Sequence, residues 1–228
     1  VLNIGATAVG TAINVNPIYL FHIIKNINLV CGTDCSQAED LFDATQNLDG
    51  FVFTSSMLKT CAVNLSKICN DLRLLSSGPK TGIGEINLPP KQNGSSIMPG
   101  KINPVIPEVV SQVAYNVIGN DTTVTLAAEA GQLELNAFEP VVFYKIFESI
   151  DTMTGAVRTL IDNCILGITA NRKRCEQLVE SSVSLATALC PYIGYKKAAD
   201  IAKQSLETGI PVRELVQNSG LLTQEQLE

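Results

Sequence analysis

Apolar residues recur along this chain in long helical stripes. Across 49–76, Leu58, Ala62, Leu65, Cys69 and Leu72 follow one another at alternating spacings of four and three, and across 141–165 so do Ile146, Ile150, Met153, Val157, Leu160 and Cys164. Alternation sustained over so many turns predicts the seam of a helical bundle or coiled coil. Residues 105–136 are also helix-compatible, but polar Asn116, Asn120 and Thr123 fall among Val113, Val117 and Val124. That helix is expected to bury polar groups that need partners. After Gly167 the elements become shorter and more charged. Three short helices are expected there, punctuated by Pro191, Gly194, Gly209, Pro211 and Gly220. Asn171 or Thr169 is suited to cap the first of them, and Thr223 with Gln226 to form a capping box on a last turn. Extended pieces are confined to "NLVCG" (28–32) and "INLPP" (86–90). The fold class is all-α: a long-helix bundle over 1–166 and a small C-terminal helical domain over 167–228.

The connection at 76–104 is long and dense in Gly and Pro, and a loop of this length without secondary structure of its own is usually functional or mobile. Its last part, 94–104, reads "GSSIMPGKINP". Gly94 and Gly100 permit backbone angles that let several N–H groups converge on one anion. Ser95 and Ser96 add hydroxyls, Lys101 a positive charge and Asn103 an amide with donors and an acceptor. Pro104 leads into a helix whose N-terminus favours negative charge. The segment therefore suits a carboxylate or a phosphate, and equally suits a flexible inter-helix linker; residue chemistry leaves both open. It is not a P-loop, because the order G-x-x-x-x-G-K-[ST] fails.

Composition narrows the field. Hydrophobic residues make up 46% of the 228, and charged residues only 17%, so much apolar surface is expected to be hidden against partner chains. A net charge of −6 offers no basic patch for phosphates, which argues against a nucleic-acid partner. No uncharged apolar run is long enough to span a membrane. The seven cysteines have no framework spacing, which fits reduced thiols in a cytoplasmic protein and no zinc site. The single histidine, His22, lies in the apolar stretch "YLFHIIKN" and reads as structural. The chain starts in mid-pattern without Met or a basic leader, so a fragment or processed chain is expected.

The ordered string changes the balance for the loop. "GSSIMPGKINP" meets every fixed position of the signature Gly-Ser-Ser-x-Met-Pro-x-Lys-x-Asn and so resembles the aspartase/fumarase superfamily. The resemblance extends over essentially the whole chain. "KICNDLRLLSSGP" (67–79), "GEINLP" (84–89), "IPEVVSQV" (106–113) and "VIGNDTTVTLAAEAGQLELN" (117–136) look like its aspartate ammonia-lyase branch, while "IGYKKAADIAK" is similar in both branches.

The resemblance implies the central long-helix domain of that fold, incomplete, in a homotetramer whose active sites draw on three subunits. It implies elimination of ammonia from L-aspartate to give fumarate. Ser95 is then the general base, acting as an alkoxide whose pKa is lowered by N–H donors and by Lys101. Ser96, Lys101 and Asn103 hold a substrate carboxylate, Gly94 supports the turn, and Met98 packs the loop. Glu108 matches a glutamate that pairs with an active-site histidine, or serves as a helix-start acid favoured by the dipole. The family's two other active-site regions lie upstream of Val1, so Glu108 is expected to lack its partner and the chain alone to be inert. No organic cofactor is implied. Divalent cations activate some members, but no metal-ligand cluster is legible here. Fumarate hydratase, and a non-catalytic oligomerising helical core, are the alternatives.

Overall fold

A computed structural model describes residues 1–92, 94, 97–98 and 100–223. The described chain is all-α apart from one two-residue strand pair, and it divides into two compact units. The first comprises Val1–Arg73 and Pro89–Gly167; the second comprises Leu74–Leu88 and the C-terminal residues from Ile168.

In the first unit, α1 (Pro17–Cys31) starts at Asn16, whose side chain accepts from the Ile18 N–H at 2.9 Å. It ends at Gly32 in the left-handed region. The expected extended piece "NLVCG" is therefore the last turn of a helix and its cap. Asn28 explains the change. Its side chain accepts from the Cys35 N–H and donates to the Cys35 carbonyl, both at 2.8 Å, closing the helix end against the following loop. His22 is exposed on α1, its ring edge-on to Phe21 at 4.9 Å. A short α2 (Asp43–Gln46) precedes α3 (Asp49–Leu75), and α4 (Val105–Glu129) and α5 (Glu139–Asn163) complete the long elements. Ile165–Gly167 form a single 3-10 turn.

The core lies where α3, α4 and α5 pack together. Ala62 meets Ala114, Val117 and Met153, and a second cluster joins Leu48, Val124, Ala127, Val142 and Ile146. The buried positions of α4, Val110, Ala114, Val117, Asp121 and Val124, keep the alternating four-and-three spacing of a heptad seam. On α5 the seam is shifted by one residue in places. Ser149 and Ala156 are buried, whereas Ile150 is exposed and Val157 half-buried. Small side chains there let α5 approach α4 closely, which the pattern of large apolar residues did not reveal.

Several polar groups within this core are paired, although the buried Ser111 hydroxyl of α4 has no hydrogen-bond partner among the described residues. Asn120 donates to Glu148 at 2.9 Å and to Ser149 at 3.1 Å, and Lys145 donates to the same Glu148 oxygen at 2.8 Å. The hydrogen bond from Lys145 holds the Glu148 carboxyl below its ordinary range; burial opposes this, and Asn120 reinforces it. On the opposite side of α4, buried Asp121 accepts from Ser55 at 2.9 Å and from Lys59 at 2.6 Å, joining α4 to α3. Of the other polar residues expected inside, Asn116 is exposed and Thr123 bonds back to the Gly119 carbonyl at 3.2 Å. At the α4–α5 corner, buried Asn136 donates to the Ala127 and Ala128 carbonyls and accepts from the Phe138 N–H at 2.8 Å. It thereby satisfies carbonyls that the end of α4 leaves without helical partners.

In the second unit, β1 (Ile86–Asn87) pairs antiparallel with β2 (Thr169–Ala170), so one extended piece expected at "INLPP" forms. Then come α6 (Arg172–Glu180), α7 (Leu185–Ile193), α8 (Tyr195–Thr208) and α9 (Val212–Ser219). Their core is Ala186, Ile201, Val212, Leu215 and Val216. Asn171 stands at the N-cap position of α6, but its side chain makes no capping bond; Thr169 is in β2, and Gln226 of the expected capping box lies outside the described residues. No described helix is long and apolar enough to cross a membrane.

Candidate active site

The signature loop enters from Pro89 and ends where Pro104 opens α4. Ser95 and Ser96, the expected base and carboxylate ligand, lie outside the described residues. Around them the loop folds on itself. A turn closes with the Lys101 N–H on the Met98 carbonyl at 3.2 Å, and Gly100 stands at φ +81°, a conformation that L side chains rarely adopt. Gly94 does a different job. Its φ is not in the left-handed region; a Cβ there would sit 3.3 Å from the Lys101 carbonyl, so the residue is small for close approach. The two glycines and Lys101 thus belong to one local fold.

Lys101 is exposed, with its ammonium available to solvent-borne anions. Asn103 is half-buried and donates to Gln92 at 3.5 Å, tying the exit of the loop to its entrance. The backbone then turns into the helix, with the Val105 N–H on the Asn103 carbonyl at 2.9 Å and the Glu108 N–H on the Pro104 carbonyl at 3.2 Å. An anion held by Lys101 and Asn103 would therefore lie beside a helix start, where the first-turn N–H groups and the dipole favour it.

Glu108 is in the first turn of α4, and its carboxylate lies 3.9 Å from the Arg73 guanidinium, in the last turn of α3. Glu108 thus has a cation of α3 beside it, a contact separate from the active-site histidine with which the family resemblance pairs it. Arg73 was not singled out from the sequence; its reach to α4 depends on how the helices pack. Sequence reasoning also missed Gln92 and buried Asp121, neither of which carries a motif. Among the described residues, no group of three or more His, Cys, Asp or Glu is placed to hold a metal ion. Two of the thiols, Cys69 and Cys164, are buried; burial raises both pKa values, that of Cys69 to about 11.

Comparison with known proteins agrees with this architecture. A lyase family model matches residues 1–119, and a model of the fumarase C C-terminus matches 185–228. An aspartate ammonia-lyase of Pseudomonas aeruginosa is 56% identical over 226 residues, covering 99% of this chain and 48% of the relative. A crystal structure described as fumarate lyase:delta crystallin from Brucella melitensis, bound to cobalt, superposes with a TM-score of 0.94 at 51% identity, covering 99% of this chain and 49% of that one. A class II fumarase from Schistosoma mansoni gives a TM-score of 0.83 at 31% identity, covering 99% and 50%. The chain spans about half the length of the curated relatives it matches.

Proposed function

We propose, for a chain that belongs to the aspartase/fumarase lyase family, that it carries the serine-loop portion of an aspartate ammonia-lyase. The observation that carries this reading is the 56% identity over nearly the whole chain to a relative of that name. In the proposed reaction, Ser95 as alkoxide takes a proton from the carbon beside a carboxylate of L-aspartate. The electron pair left behind spreads onto that carboxylate, and collapse of this aci-carboxylate breaks the carbon–nitrogen bond, giving fumarate and ammonia. Developing negative charge is the term an enzyme must stabilise most, and Ser96, Lys101 and Asn103 are assigned to it. A cation and an amide at the mouth of a helix suit a carboxylate whose charge grows during the reaction. Glu108, held by Arg73, supports the loop from the first turn of α4.

The other active-site regions implied by the family resemblance precede Val1 in such proteins, and we assign activity to a homo-oligomer that includes them. The 228 residues alone are accordingly expected to be inert. The test is to join the upstream half of the Pseudomonas aeruginosa relative to Val1 and assay the product with L-aspartate and with malate, following fumarate by its absorbance. Aspartate turnover that Ser95→Ala abolishes is the expected result. Preference for malate would establish the fumarate hydratase alternative, and aspartate turnover by the 228-residue chain alone would refute the need for the upstream regions.

A further inference from the structure

Two contacts join the signature loop across its base, and both lie within one compact unit. A Cβ on Gly94 would sit 3.3 Å from the Lys101 carbonyl, and Asn103 Nδ2 donates to Gln92 Oε1 at 3.5 Å. From the first contact to the second the chain steps outward by two residues on each side, the step of an antiparallel hairpin. Gln92 and Asn103 are thus the outer rung of a neck, and Gly94 with Lys101 the inner one. The turn at Gly100, closed by the Lys101 N–H on the Met98 carbonyl, lies beyond the neck.

The backbone of Asn103 is fixed from the helix side. Pro104 stands at φ −78° and ψ 60°, an inverse γ-turn closed by the Val105 N–H on the Asn103 carbonyl at 2.9 Å. That turn leaves the side-chain amide unassigned. An asparagine amide carries two donors on one side and an acceptor on the other, and rotation about its last bond exchanges the two sides. A carboxylate is recognised by the donors. With one N–H on Gln92, a flip of the Asn103 amide alone would set two carbonyl oxygens against each other, so the second N–H keeps its direction. Glutamine suits position 92 for a further reason. It supplies an acceptor without placing negative charge beside a dicarboxylate, which a carboxylate there would repel.

We propose that Gln92 is a positioning residue for carboxylate recognition: its side-chain oxygen takes one N–H of Asn103 and leaves the other turned to a carboxylate of the substrate. This rests on the aspartate ammonia-lyase reading, in which Asn103 holds that carboxylate. Gln92 acts through Asn103 and needs no contact with substrate.

Two measurements test this. In the 228-residue chain, Gln92→Met, which keeps the length and lacks the amide oxygen, should speed exchange of the Asn103 side-chain amide protons by at least about twofold; unchanged exchange overturns the contact. In the fusion carrying the upstream half, the probe is succinate, a dicarboxylate with no leaving group. Gln92→Met should raise its dissociation constant, read by calorimetry, at least about fivefold, the size of a typical hydrogen bond's net contribution. In an Asn103→Ala background the same substitution should change it by less than about twofold, because residues that act through one another are not additive. An equal loss in both backgrounds, or none in either, overturns a role exercised through Asn103, and so does failure of the unsubstituted fusion to bind succinate. The aspartate reading is judged separately: turnover of malate and not of L-aspartate removes it, while the succinate comparison still decides the role of Gln92.

Discussion

Burial pushes the Cys69 thiol from 9.0 to about 11, with Cys164 adding to the rise and Arg73 opposing it. A thiol that ionises less readily when folded contributes stability that is fully present below its unfolded pKa. That contribution is lost as pH rises through the folded value. The window here is about pH 9 to 11, and a shift of this size corresponds to about 3 kcal/mol. Cys69→Ala removes the thiol at the cost of a small cavity, about 1 kcal/mol near neutral pH. Wild type should therefore be the more stable below pH 9, and its advantage should shrink or reverse toward pH 11 in urea unfolding. A constant difference across that window would contradict the burial argument. The same scale separates the residues of the candidate site. Lys101 and Asn103 were legible because their chemistry and order are distinctive, whereas the Arg73 partnership of Glu108 arises only from the meeting of two helix ends.

Among the long elements, α4 occupies the middle position, and its adjacent polar residues face opposite neighbours. Asn120 engages Glu148 and Ser149 of α5, and Asp121 engages Ser55 and Lys59 of α3. A one-residue slip of α4 would break both sets, so the pair specifies helix register as the apolar seam alone does not. Breaking the α3–α4 connection should be asymmetric. Lys59→Met leaves a carboxylate of 4% exposure without its cation and should cost about 2–3 kcal/mol. Asp121→Asn keeps a polar group for Ser55 and frees a lysine that can reach water, so about 1 kcal/mol is expected. Thermal unfolding of the two variants checks this; equal costs in both would mean that the pair is no more than a surface contact.

Across the whole molecule, large apolar side chains remain at the surface, including Phe21, Leu29 and Val30 on α1, Phe53 on α3, and Tyr144 and Phe147 on α5. Helix α1 has no buried residue at all. Exposed large apolar side chains in this number suit burial against partner chains, in keeping with the proposed homo-oligomer. Sedimentation of the 228-residue chain should give a mass above that of a monomer, and a monodisperse monomer would remove that expectation. The sequence by itself determined the all-α class, two of the long helices to within a few residues, the start of the third, which ends at Glu129 and not at 136, and the family motif of the loop, because helical periodicity and an ordered motif are properties of residues near one another in the chain. Only the tertiary structure decided that residues 74–88 cluster with the C-terminal unit, that Glu108 meets Arg73, and that Arg174 holds Gly82 and Ile83. Those pairings join residues tens of positions apart through side-chain reach and helix approach, quantities that local pattern does not encode.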